Sequence, residues 1–193
     1  MSKNKILQPK IRFKEFSGEN AEAWEQRKLG DISKIKTGSS DLQDADATGK
    51  YPFFVRSENI ERSNRFLYEG EAILIPGEGR LGEIYHYING KFDYHQRVYK
   101  ISNFSDYNVQ GLFVLYYLKN NFKRHALKYT VKATVDSLRL PTLLEFNLMV
   151  PNNEEQQKIG TFLKQIDNTI TLHQRKIEQY QELKKTLLSK MFI

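Results

Sequence analysis

The chain contains no cysteine, which removes both the disulfide frameworks of small secreted domains and any thiolate metal site. Its four histidines, His86, His95, His125 and His173, are scattered without HExxH-type spacing, so a bound catalytic metal is not expected. No apolar run approaches the roughly 18 residues of a membrane-spanning helix, and the charged start MSKNKILQPKIRFK has no apolar core behind it of the kind a signal peptide needs. These absences predict a soluble, cytoplasmic protein without membrane association. At 193 residues its length suits one domain plus an extension. Proline is scarce too, and residues 154–193 have none, with Gly160 the only glycine there.

That last absence lets one long helix run almost to the C-terminus. Ile159, Leu163, Ile166, Ile170, His173, Ile177, Tyr180, Lys184, Leu187 and Met191 recur at alternating spacings of four and three, the a/d rhythm of a coiled coil. The helix would be roughly 50 Å long and should project in search of a partner helix. Phe162, Leu172, Leu183 and Leu188 beside this seam keep open a second reading, a terminal helix folded back over its own domain. His173 and Lys184 within the seam weaken it while helping to fix register.

What the chain does have is positive charge: +7 at neutral pH, with tyrosines and phenylalanines set beside lysines and arginines. That mixture favours a polyanionic partner, although a basic globular protein could carry the same charge merely for solubility. Residues 1–23 read as a basic arm or linker. A packed domain is expected over 24–151, opening at the only tryptophan, Trp24, and a dimerising helix over 152–193. Strands are predicted around 51–56, 72–76, 84–88 and 91–101, with Asn89-Gly90 as a hairpin turn between the last two. A helix over 109–122 and a basic, hydroxyl-rich stretch over 123–137 come next, the latter read as a helix end running into a loop. A strand over 146–150 then leads to Asn152 or Asn153 as helix cap, with acidic residues in the first turn. The fold class is α+β: a twisted, mostly antiparallel sheet with flanking helices, then the long helix.

Gly77-Glu78-Gly79-Arg80-Leu81-Gly82 matches GxGxxG formally. Glu83-Ile84-Tyr85-His86-Tyr87 then alternates as a strand, though, and Glu78 would face a pyrophosphate, so a glycine-rich hairpin with Arg80 at its tip fits better than a dinucleotide site. No Walker loop, nucleophile elbow, paired-carboxylate site, methyltransferase Asn-Pro-Pro-aromatic motif or nuclease carboxylate cluster is present. Asp93, Asp136 and Glu145 stand alone and read as structural. No catalytic residue and no metal ligand is therefore assigned. The candidates for contacting DNA are Lys36, Thr37, Ser39, Arg56, Asn59, Arg80, Gln96, Arg97, Lys132, Thr134, Ser137 and Arg139, whose types suit base edges and phosphates. Those for dimerisation are Ile159, Leu163, Ile166, Ile170, Ile177, Tyr180, Leu187 and Met191.

Several of these stretches together resemble a known family. They are Trp24-Glu25 with Leu29-Gly30-Asp31-Ile32, the glycine loop after the strand at 73–76, and Gln96-Arg97-Val98-Tyr99. Above all, Pro151 is followed by Glu155-Gln156-Gln157-Lys158-Ile159, Phe162-Leu163, Ile166-Asp167, Ile170, Lys176-Ile177 and Leu183-Lys184. With the lead-in Pro9-Lys10-Ile11-Arg12-Phe13 and Phe16, the whole chain is similar to one target-recognition domain and its conserved helix from the specificity subunit of a type I restriction-modification system. A typical member has two of each, with the helices packed antiparallel, and this chain has one of each. The resemblance implies a non-catalytic subunit that binds double-stranded DNA, scaffolds methyltransferase subunits and, through them, the restriction subunit. S-adenosylmethionine, ATP and Mg would be bound by those partners and no cofactor by this chain. Homodimerisation through the helix would give a bipartite, palindromic target. A stand-alone dimeric DNA-binding regulator, a small nuclease and a coiled-coil adaptor that does not bind DNA remain as alternatives.

Overall fold

The computed structural model describes residues 9–18, 21–129 and 137–192. Its strands are β1 (Glu25–Lys28), β2 (Lys34–Thr37), β3 (Tyr51–Phe54), β4 (Ile60–Ser63), β5 (Tyr68–Pro76), β6 (His86–Tyr94), β7 (Val98–Ser102) and β8 (Asn147–Val150). Among the described residues there are three α-helices, α1 (Gly111–Tyr129), α2 (Leu140–Leu144) and α3 (Asn153–Met191), besides short 3-10 turns. Six strands form one sheet in the order β2-β7-β5-β6-β3-β4, antiparallel except for β3 beside β6, while β1 and β8 make a separate antiparallel pair. This is the mixed α and β architecture expected.

Strand β5 organises the sheet because both of its faces are buried. Ile73 and Ile75 point into the main core with Phe104, Phe113, Leu118 and Phe122, and Ala72 and Leu74 pack on a second cluster with Phe54, Phe92 and Tyr94. A run of consecutive apolar residues is what a strand covered on both sides requires. Residues Tyr68–Glu71 extend β5 beyond the expected run, paired with Phe92–Asn89 of β6.

The hairpin expected at Asn89-Gly90 does not form. Strand β6 runs straight through it on one partner, with Tyr87 opposite Ile73 and Phe92 opposite Tyr68. Gly90 does take a positive φ of 154°, but it spends that freedom inside the ladder opposite Gly70, whose φ is 136°. Reversing the chain there would have withdrawn Phe92 and Tyr94 from the second core, and their burial outweighs a local turn preference. The turn joining β5 to β6 is the Gly77–Gly82 loop instead, a glycine-rich hairpin with no helix after it. The strand expected over 91–101 is likewise broken at His95-Gln96-Arg97, where Val98 N–H closes on His95 O at 2.9 Å. Helix α1 continues to Tyr129, within the stretch read as a helix end running into a loop, because Ala126 still reaches the core.

Helix α3 begins at the cap Asn152, whose side chain accepts from Glu155 N–H at 2.9 Å. Its first turns are seated on the domain. A Cβ at Gly160 would lie 2.9 Å from Leu112 Cβ, so this glycine permits the close approach of α3 to α1. Tyr116 donates to Asp167 at 2.8 Å, and the buried Gln156 accepts from Gln110 N–H at 3.0 Å while donating to Pro151 O at 2.8 Å. Beyond Asp167 every described residue of α3 except Thr186 is exposed, so the helix projects from the domain by roughly 35 Å. The segment read as an arm is anchored to this base: Arg12 pairs with Glu155, and the Phe13 ring stands edge-on to Phe162 at 5.7 Å.

Candidate nucleic-acid interface

Three connections converge at the ends of β2, β5 and β7. The Gly77–Gly82 loop lies against the His95–Arg97 turn through Gly77 N–H to Arg97 O at 2.8 Å. The segment before α2 joins it, with Leu138 N–H donating to Gly77 O at 2.8 Å and a backbone bridge between Glu78 and Ser137. Tyr99 ties the arrangement to the sheet by donating its hydroxyl to Leu138 O at 3.1 Å. Between these segments lies a small cleft of about 150 Å³ lined by Thr37, Glu78, Gln96, Arg97, Tyr99 and Ser137.

Thr37, Gln96, Arg97 and Ser137 therefore come together although they span a hundred positions of sequence. Arg56 joins them by an ion pair, because Glu78 takes Arg97 on one carboxylate oxygen and Arg56 on the other, the latter at 3.2 Å, whereas Arg80 pairs outside the cleft lining with Glu58 and, at 3.7 Å, with Glu83. Hydrogen bonding from Arg97, and then from Arg56, holds the Glu78 carboxyl below the usual carboxylate range. Lys36, Ser39, Asn59 and Arg139 are exposed outside the cleft lining. Lys132 and Thr134 lie outside the described residues.

The turn that presents Gln96 and Arg97 is braced from beneath by residues that the sequence did not connect with it. Arg97 N–H donates to His95 Nδ1 at 2.9 Å, so that nitrogen carries the lone pair and the proton sits on Nε2. Nε2 then faces Asp41 Oδ1 at 3.2 Å, and the other oxygen of Asp41 accepts from Gln96 Nε2 at 2.8 Å. Asp41 is itself held below its ordinary range, first by Leu42 N–H and then by His95. Below these, the fully buried Asp93 accepts from Ser40 at 2.5 Å, Tyr94 N–H at 2.8 Å, Ser63 at 3.1 Å and Arg65 at 3.3 Å. Asp93 thus serves as a structural hub that pins the loop after β2 to the end of β6. Nothing in local sequence pairs Asp41 with a histidine 54 positions away.

The surface so built carries guanidinium, amide and hydroxyl groups on loops fixed by a rigid sheet, the equipment for contacting phosphates and base edges. Among the described residues no group of three or more histidine, aspartate or glutamate side chains is placed to hold a metal ion, and no helix is long and apolar enough to cross a membrane.

On the seam, Ile159 and Leu163 face the chain's own domain and line a cavity with Trp24, whereas Ile166, Ile170, Ile177, Tyr180, Leu187 and Met191 are exposed. The base of the helix thus folds onto the domain, as the second reading had it, and the rest projects with its apolar stripe exposed.

The model for the type I restriction modification DNA specificity domain matches residues 21–182. The chain is 29% identical over 150 residues to the EcoDI type I restriction enzyme specificity subunit of Escherichia coli, covering 76% of this chain and 32% of that protein. It is 24% identical over 200 residues to a putative type I restriction enzyme specificity subunit, MjaX, of Methanocaldococcus jannaschii, covering 91% and 47% respectively. Among solved structures, the S subunit of a type I restriction-modification system from M. genitalium superposes with a TM-score of 0.69 at 19% identity, over 84% of this chain and 42% of that one. The HsdS subunit of Thermoanaerobacter tengcongensis gives 0.59 at 16% identity, over 83% and 42%. The chain spans from about a third to just under half of the length of these relatives.

Proposed function

This chain belongs to the type I restriction modification DNA specificity family, and on that premise we propose that it reads one half of a bipartite DNA site and scaffolds methyltransferase subunits without catalysing a reaction itself. The observation that carries the reading is the cleft at the sheet end, where Thr37, Gln96, Arg97 and Ser137 meet and Glu78 holds Arg56 beside Arg97. Arginine and glutamine are the side chains suited to guanine and adenine edges, and hydroxyls suit phosphate oxygens. Glu78 keeps Arg56 and Arg97 oriented before DNA arrives, and the His95–Asp41 pair holds the turn beneath them, so little ordering is left to the moment of binding. Methylation with S-adenosylmethionine and ATP-driven cleavage with Mg would reside in partner chains.

The second half-site would be read by a second copy joined through the exposed stripe of α3. Six apolar seam residues from Ile166 to Met191 are 40% to 71% exposed, a stripe that water disfavours and a partner helix would cover. Replacing Ile166 and Ile170 together by Asp should yield a monomer by light scattering, and an unchanged dimer mass would refute the seam.

The primary test is selection of duplexes from a randomised library by the purified chain, alone and with a type I methyltransferase subunit, followed by anisotropy measurements across a salt series. Enrichment of a two-part palindromic motif, with affinity falling as salt rises, is the expected result. Tight operator binding with no uptake of methyltransferase would favour a stand-alone regulator. Absence of any salt-dependent DNA binding would overturn the reading altogether.

A further inference from the structure

Two polar side-chain atoms among the described residues are buried without a hydrogen-bond partner, Arg12 Nη1 and Trp24 Nε1. Both residues line the same cavity of about 360 Å³, whose other walls include Ile159, Phe162 and Leu163 at the base of α3. An unmet buried donor is costly, and two of them on residues that line one largely apolar hollow mark a place where acceptors and apolar side chains are missing together. Arg12 cannot turn away to solve this. Its Nε and Nη2 are committed to Glu155 at 2.7 and 2.6 Å, leaving Nη1 aimed elsewhere.

We infer that the last turn of α3 from a second copy seats in this cavity. The seam supplies the geometry. Its positions from Ile159 to Met191 are symmetric about Arg175, so an antiparallel pair with its two-fold axis there sets Ile159 against Met191, Leu163 against Leu187, and His173 against Ile177 of the other chain. Met191, 71% exposed, would otherwise face water, as would Ile11 at the cavity rim, 91% exposed. The final carbonyls of a helix have no intrahelical donors and carry the negative end of its dipole, which complements a guanidinium and an indole N–H. A pairing displaced by one heptad, with its axis between Glu178 and Gln179, would cover only the free stripe. It would leave the cavity empty and both donors unmet, and this selects the register centred on Arg175.

This inference rests on the homodimer proposed above, and its test separates the two. Because the chain has no cysteine, single-cysteine variants H173C and I177C can be mixed and oxidised. The register centred on Arg175 gives a disulfide-linked pair of the two variants, whereas the displaced register links I177C to Y180C instead. Trp24 is the only tryptophan, so its fluorescence reports the cavity directly. Its emission should shift to the blue as the protein concentration rises through the dimer range. Met191→Asp should weaken the dimer by about tenfold or more and abolish that shift. A dimer that links 177 to 180, with Trp24 emission indifferent to assembly and to Met191→Asp, overturns the docking while leaving the dimer standing. A chain that stays monomeric at all concentrations overturns both.

Discussion

Replacing Arg12 by Ala should destabilise the fold more than almost any other single change at an ion pair. The guanidinium makes a two-pronged contact with Glu155, and the side chains are 6% and 0% exposed. The cavity around them is otherwise apolar, with Phe13, Trp24, Ile159 and Leu163 as neighbours. Removing the arginine strands a carboxylate that has no other side-chain partner among the described residues, and uncompensated burial of this kind costs about 3–5 kcal/mol. In a chain of this length each kcal/mol is worth about 2–4 °C in Tm, so a fall of roughly 6–20 °C is expected in calorimetric melts. The measurement belongs in the Ile166→Asp, Ile170→Asp background, where dimerisation does not contribute. Glu155→Ala should cost less, since Arg12 sits on a terminal segment that can swing its charge into water. The double replacement Arg12→Leu, Glu155→Leu should return to within about 2 kcal/mol of the parent, because an apolar pair suits those walls and no charge is stranded. An Arg12→Ala variant that melts within 2 °C of the parent (roughly 1 kcal/mol or less) would refute the claim that the ion pair anchors the segment.

The reading surface and the sheet yield further expectations. Arg97→Ala should cost about 1–3 kcal/mol of DNA affinity and relax the selected sequence at one position, whereas Arg80→Ala should weaken all sequences alike and flatten the salt slope by about one unit; the reverse pattern in anisotropy titrations would exchange their roles. Lys100 is buried against the Tyr68 ring, and burial, reinforced by Lys36 and Lys34, brings its pKa down from 10.5 to about 8. The unfolded chain therefore binds more protons than the folded one between about pH 8 and 10, so stability should rise with pH across that window. Above it the half-buried Tyr85, whose pKa is pushed up by desolvation, pulls the other way. Lys100→Met should be more stable at pH 7 and should lack the rise, and identical pH profiles for the two proteins in denaturant melts would dispose of this account.

The elements legible in the sequence are those whose signal is local and repeated. Helix α3 announced itself because ten seam positions keep one rhythm with no proline, and the buried centre of β5 because apolar residues run consecutively. Asn89-Gly90 misled because its turn preference is worth less than placing Phe92 and Tyr94 in a core whose other members lie dozens of residues away. The same reason hid the supports of the cleft. Glu78 drew notice only as an obstacle to a phosphate, since its pairing with Arg97 and Arg56 exists only once the Gly77–Gly82 loop is folded back. Asp41 and His95, and Arg12 and Glu155, meet across separations of 54 and 143 residues, where no pattern in one chain can pair them.

The way α3 is fixed bears on how the two half-sites would be spaced. The Gly160–Leu112 contact, the Tyr116–Asp167 hydrogen bond and the Gln110–Gln156 hydrogen bond grip one side of the helix over three turns, so its direction is rigidly tied to the sheet that carries the cleft. With the two-fold axis at Arg175, the centre of that grip lies about 14 residues, or roughly 21 Å, from the axis. Two copies would then be anchored roughly 42 Å apart along the coiled coil, a little more than one turn of B-DNA. Inserting one heptad at Arg175 lengthens each arm by half a heptad and preserves the seam. The anchors would move apart by about 10 Å, which is about three base pairs at 3.4 Å each. The selected motif should keep its two half-sites and gain about three base pairs between them. Half-sites retained at the original spacing would mean that α3 does not set the distance, and that the domains reach DNA by a route independent of the helix.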